Sequence, residues 1–232
     1  MTYDKYLKEI NRFDISPESF PHCSNIITKC RSCVKDDQKL ALKTLLSAYI
    51  EVIAKIHRFF DGKISFEELI KNFNSYYEYV NTKKINGAFS HQSDFLSSIV
   101  PELICTLVKP ICKKYRPKND NLFISAQRDI IIECNFDACI DGNIILKRKR
   151  MDIAILLPLD LKINDEQIDF SIPLLCAEVK TNIDKNMLSG IEASVETLKR
   201  TFPNCGYYAI GEFSDFAIDT LNYASTKIDE IL

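Results

Sequence analysis

Two stretches decide the fold: Arg150-Met151-Asp152-Ile153-Ala154-Ile155-Leu156-Leu157 and Ile172-Pro173-Leu174-Leu175-Cys176-Ala177-Glu178-Val179-Lys180. Both are short apolar runs rich in branched side chains, which reads as strand in a buried sheet. The second is polar only at its far end, and Asp152 opens the first. Side chains two apart on a strand share a face, roughly 6.6–7 Å apart along the chain. Glu178 and Lys180 therefore face one way and Val179 the other, into the core. An open α/β sheet presents ligands at the carboxyl ends of its strands. Asp152 is expected to approach Glu178 there, across the sheet.

This set of residues suits phosphate-ester chemistry. A cation of the Mg²⁺ type prefers oxygen ligands and keeps several waters, so one or two carboxylates suffice. Such an ion polarises a phosphoryl oxygen and acidifies a bound water. A neighbouring lysine adds charge where the transition state becomes negative, and it can orient the attacking water. Asp152 and Glu178 are the expected metal ligands, joined by the backbone carbonyl of Val179, with Lys180 as the catalytic lysine. The reaction implied is in-line hydrolysis of a phosphodiester. On pattern alone, a solvated salt-bridging pair at a strand end is the alternative.

Outward from these strands, residues 128–139 and 144–157 flank Asp141-Gly142-Asn143, a hairpin signal. Helical spacing returns over 186–200. A short buried strand follows at 206–211, and a closing helix is expected over 214–231. The strand–helix–strand run implies a parallel pair joined by a right-handed crossover. The first half reads as helical. An amphipathic segment at 2–13 leads to a loop marked by Ser16-Pro17 and Pro21. Residues 36–60 carry Leu40, Leu42, Leu45, Leu46, Tyr49, Ile50, Ile53 and Ile56 at helical spacing, with Asp61-Gly62 as the stop. A helix over 65–82 has Ser65 as N-cap. One more, over 92–115, contains Pro101, a kinking or splitting residue.

The composition is that of a soluble globular chain, 46% hydrophobic and 27% charged, with too little Gly and Pro for disorder. The net charge of −2 is not the signature of a wholly basic nucleic-acid binder. Between Lys109 and Arg150, however, ten basic residues stand against five acidic ones, a local +5. Four of them, Lys147-Arg148-Lys149-Arg150, directly precede Asp152, where Lys147, Lys149 and Arg150 are candidates to hold DNA phosphates. A solvated, charge-guarded strand is the other reading. Asn182 and Lys185, just beyond the catalytic strand, are further DNA-contact candidates, and Asp184 is equally explained as a helix cap.

The nine cysteines form no regular disulfide framework. With no signal-like N-terminus and no long apolar run, this places the chain in the cytoplasm, off the membrane. Cys30-x₂-Cys33, with His22 and Cys23 nearby, makes half of a zinc pattern but lacks a second tight pair. No nucleotide-binding loop is present.

The run Ala177-Glu178-Val179-Lys180-Thr181-Asn182-Ile183-Asp184-Lys185-Asn186-Met187 resembles the active-site segment of the BbvCI-like type II restriction endonucleases, a branch of the PD-(D/E)XK superfamily. Lys149-Arg150-Met151-Asp152-Ile153-Ala154-Ile155 resembles their first acidic motif, with Met151 where the superfamily often has proline. Ser93-Asp94-Phe95-Leu96-Ser97-Ser98-Ile99-Val100-Pro101-Glu102 resembles their upstream helix. The resemblance spans roughly residues 90–230. It implies an α/β (α+β) fold: a mixed central sheet flanked by helices over 89–232. A helical region over 1–88 would serve DNA recognition or dimerisation. It also implies a site-specific endodeoxyribonuclease acting on double-stranded DNA with one or two Mg²⁺ ions. By the same resemblance Glu102, on the upstream helix, would join the metal site. A homodimer is expected, since cutting two strands takes two active sites, with a heterodimer with a related subunit also open. A repair or nicking nuclease on the same core, and a non-catalytic DNA-binding or partner subunit, are the alternatives.

Overall fold

The computed structural model describes residues 20–80, 82, 92–115, 122–135, 145–163, 166–214 and 226–232. The chain divides into two compact units, Met1–Tyr115 and Arg116–Leu232. The division follows the long helix over 92–115, whereas the sequence reading drew its boundary at 88/89 and gave that helix to the second unit.

The first unit is helical: α1 (Pro21–Ser32), α2 (Asp36–Phe60), α3 (Phe66–Val80) and α4 (Gln92–Tyr115). In α2 the buried face is Ala41, Leu42, Leu45, Leu46, Tyr49, Val52, Ile53 and Ile56, the three-and-four spacing of an amphipathic helix. Leu40, expected on that face, is exposed instead. Asp36 and Asp37 stand in the first turn and Arg58 in the last, each complementing the helix dipole. Gly62 takes φ +69° and closes the end with a bond to the Phe59 carbonyl. Ser65 caps α3 by accepting the Glu68 N–H, as its position predicts. A single helix, α4, runs through both Pro101 and Pro110, so of the two outcomes expected at Pro101, a kink or a split, the split does not occur.

Helix α1, in a stretch expected to begin as a loop at Ser16-Pro17 and Pro21, was missed by sequence reasoning. Phe20, its N-cap, has no side chain able to cap. The carboxylate of Glu102 on α4 does this instead, accepting the N–H of His22 at 2.6 Å and of Cys23 at 3.0 Å. A buried carboxyl group at a helix N-terminus satisfies donors that would otherwise be orphaned.

The second unit is a five-stranded mixed sheet in the order β1 (Phe123–Asn135), β2 (Ile145–Ile163), β3 (Glu166–Ile183), β4 (Gly206–Ser214) and β5 (Glu230–Ile231). The first three strands are antiparallel neighbours. The β3–β4 and β4–β5 pairs are parallel, with helix α5 (Lys185–Thr201) connecting β3 to β4. Leu188, Ile191, Val195 and Leu198 of α5 pack over Ile130, Met151, Ala154, Cys176 and Tyr207 of the sheet. The parallel pair across α5 and the antiparallel pairing on either side of Asp141-Gly142 follow the sequence expectation; the hairpin turn itself lies outside the described residues. Most of the expected closing helix over 214–231 also lies outside them, and at its end Glu230–Ile231 is a strand. Strand β2 runs past its expected end at 157, through Pro158, and β3 begins at Glu166, before its expected start at 172. A register shift between Ile155 and Leu156 falls beside Pro173, which cannot donate to the ladder. No helix among the described residues is long and apolar enough to cross a membrane.

Candidate active site

The register of the second unit gathers the expected residues in one row. Pairing of β2 with β3 begins at Ile153 with Ala177, so Asp152 and Glu178 are the next residues along their strands. On β1, Ala126 faces Ile153 and Arg128 faces Met151, which leaves Gln127 across from Asp152. Gln127 has φ +50°, a left-handed conformation that costs a side-chain-bearing residue about 1–2 kcal/mol. Such strain collects where a site constrains the backbone.

Lys180 Nζ lies 3.3 Å from Glu178 Oε2 and 3.8 Å from Asp152 Oδ2. The ammonium thus bridges the two carboxylates. Asp152 Oδ2 also accepts the Val179 N–H at 2.8 Å, which ties β2 to β3. The other oxygen of Glu178, Oε1, accepts the Tyr207 hydroxyl at 2.6 Å and has Lys149 Nζ 3.5 Å away. Tyr207 is fully buried. Its neighbour in the register is Cys176, and that of Glu178 is Ala209, so the phenol reaches forward along the sheet face.

These partners drive the two carboxyls apart. Burial raises the Asp152 pKa above the ordinary aspartate value, against the Val179 N–H and the Lys180 charge. Burial also acts on Glu178, but the Tyr207 hydrogen bond and the charges of Lys149 and Lys180 outweigh it and hold its pKa below the usual range. The Tyr207 hydroxyl is pushed up, by burial first and by the Glu178 charge second, and so remains a donor. A pair of acids with divergent environments is a common mark of a working site.

Residues 140–232, which hold this constellation, match the model of the Bpu10I restriction endonuclease family. A chain of the BbvCI A2B2 tetramer has the same fold, at 25% sequence identity and a TM-score of 0.60, covering 94% of this chain and 82% of that one. The chain resembles the BbvCI-like restriction endonucleases. No curated protein sequence matches it.

Against that BbvCI-like frame the remaining expected residues divide. In the basic run, Lys147 pairs with Glu133 at 3.3 Å and Arg150 with Asp129 at 3.1 Å. Both cations stay mostly exposed, and such pairs are worth little, so both remain available to a polyanion. Lys149 is different, because it turns to Glu178 and to α5. Asn182 is half-buried near the end of β3, and Lys185 is exposed at the start of α5. Asp184 caps α5, its Oδ1 accepting the Met187 N–H at 2.7 Å. Glu102 is fully buried in the helical unit, with both oxygens engaged by the α1 backbone. Burial pushes its pKa up to about 8, against the Tyr49 hydroxyl and the two N–H donors.

Sequence reasoning missed Tyr207 and Ser194 and gave Lys149 another role. The tyrosine lay in a run, Gly206-Tyr207-Tyr208, legible only as a buried strand. Among the described residues no three His, Cys, Asp or Glu side chains gather as a metal cage. His22 contacts the Tyr76 hydroxyl through Nε2, and burial lowers its pKa to about 3.

Proposed function

We propose that this chain is a Mg²⁺-dependent, site-specific endodeoxyribonuclease of the type II restriction kind, with Asp152, Glu178 and Lys180 as its active site. The observation that carries the reading is the Lys180 ammonium bridging Asp152 and Glu178 at 3.8 and 3.3 Å, in the part of the chain that matches a restriction-endonuclease family.

The donor set fits a hard divalent cation. Asp152 and Glu178 offer oxygen ligands only, at a partly exposed end of the sheet, and such a pair suits Mg²⁺ with its retained waters. Asp152, Glu178 and the Val179 carbonyl would hold the ion, which supplies Lewis-acid polarisation of the phosphate and a more acidic water. Glu102 is left out of this set because its carboxylate is committed to the α1 backbone. The chain's own residues do the rest. Tyr207 fixes Glu178 on its Oε1 side, which leaves Oε2 toward Lys180. Lys180 orients the attacking water and places positive charge where the phosphorane develops negative charge. Lys147 and Arg150 contact DNA phosphates, as do Asn182 and Lys185 past the catalytic strand.

The similar chain is part of an A2B2 tetramer, an assembly of two kinds of subunit. We take the same arrangement for this chain, working with a related subunit in the cytoplasm and acting on double-stranded DNA. That observation favours the heteromeric form over a homodimer. The test is plasmid cleavage by the chain alone and with its related subunit. Nicking by the chain alone and linearisation by the pair is the expected result. Equal linearisation by the chain alone would reject the heteromeric part.

A further inference from the structure

We propose that Lys149 is a second lysine of the active site, which takes the scissile phosphate when the carboxylates hold their cation. The proposal rests on the nuclease reading above and deepens it. Its basis is the position of one ammonium between two elements. Lys149 Nζ is 3.5 Å from Glu178 Oε1 and donates to Ser194 Oγ of α5 at 2.7 Å. Ser194 in turn donates its hydroxyl to the Gly190 carbonyl at 2.8 Å. This orients a lone pair of Ser194 toward the lysine. The side chain is about a quarter exposed, whereas Lys147 is well over half exposed and paired with an acid of β1.

Glu178 therefore stands between two ammoniums, one from β2 and one from β3. A divalent ion on Asp152 and Glu178 takes over the neutralisation of both carboxylates and repels Lys149 from Oε1. Ser194 keeps the ammonium at the site. The anion nearest to hand is the phosphate that the same ion binds. A fixed ammonium contributes most where negative charge grows during the reaction. The basic run is thus split, with Lys147 and Arg150 as groove contacts and Lys149 as part of the chemistry.

The experiment compares wild type with Lys149→Met, Lys149→Gln and Ser194→Ala in the full chain with its subunit partner. DNA affinity is read with Ca²⁺, and single-turnover cleavage with saturating Mg²⁺ and DNA. The expected loss for either Lys149 variant is about 100-fold in the cleavage step, well beyond its loss of DNA affinity. Ser194→Ala loses about tenfold. Mg²⁺ affinity, by calorimetry without DNA, rises in the Lys149 variants because a repelling charge is gone. Weaker DNA binding with a salt slope reduced by about one, at an unchanged cleavage step, would make Lys149 a groove contact and overturn the proposal. So would unchanged values throughout. If wild type fails to cut, or Glu178→Ala cuts equally well, the nuclease reading itself falls and takes this one with it. Thermal unfolding of both Lys149 variants separates misfolding from lost chemistry.

Discussion

Replacing Tyr207 by Phe removes one oxygen atom from a fully buried side chain and leaves the ring in place. That oxygen donates to Glu178 Oε1 at 2.6 Å, a hydrogen bond to a charged acceptor. Such bonds contribute about 1.5–3 kcal/mol net, so Tyr207→Phe should cost that much stability near neutral pH. The cost should also depend on pH. The Glu178 pKa is depressed in the folded chain, so its contribution is present above the unfolded glutamate value and is lost as pH falls through the folded one. The penalty of Tyr207→Phe therefore shrinks on acidification below the ordinary glutamate range. Without the phenol, Glu178 keeps on its Oε1 side, among the described residues, Lys149 at 3.5 Å, and the carboxylate is free to turn. Loss of such an outer-shell partner lowers metal affinity about 10–100-fold. Denaturant unfolding at neutral and acid pH, together with the Mg²⁺ dependence of cleavage, measures both effects. A penalty equal at both pH values, with unchanged Mg²⁺ half-saturation, would show that Tyr207 only fills the core and would refute the reasoning.

Two further predictions concern acids. Burial raises the Asp152 pKa, and Lys180 lowers it. Calorimetric Mg²⁺ titration should show affinity lost on acidification at a pH above the ordinary aspartate value, and Lys180→Met should move that midpoint further up. An unmoved midpoint would separate Lys180 from Asp152. For Glu102, whose pKa is raised to about 8, the folded state keeps a proton that the unfolded state releases above the usual glutamate range. Stability should therefore fall as pH rises from that range to about 8 and level off beyond. Glu102→Gln should flatten the curve in denaturant titrations, and stability that rises through that window would contradict the assignment.

The sequence was most legible where one residue decides a local outcome. Ser65, Asp184 and Gly62 each announced a helix end, and alternation of Glu178, Val179 and Lys180 announced which side chains share a face. The parallel β3–β4 pair followed from the intervening helix. Less legible was whatever depends on a partner distant in sequence. The N-terminus of α1 is satisfied by Glu102, eighty positions away, so its own residues carry no cap signal. Lys149 looked like one of four equivalent cations until Ser194 of α5 held it against Glu178. Strand β2 was expected to end at 157 and β3 to begin at 172, whereas the two pair on as far as Ile163 and Glu166, because each is satisfied by the other and not by its own apolar pattern.

The central claim is that Asp152, Glu178 and Lys180 form a working phosphodiesterase site. It is tested most directly by incubating supercoiled plasmid with Mg²⁺ and the chain, with and without its related subunit, as wild type and as Lys180→Ala. Discrete nicked or linear products from wild type, with a loss of about 100-fold or more in the variant, are the predicted result. No product from wild type under either condition, or equal cleavage by Lys180→Ala, would contradict the account.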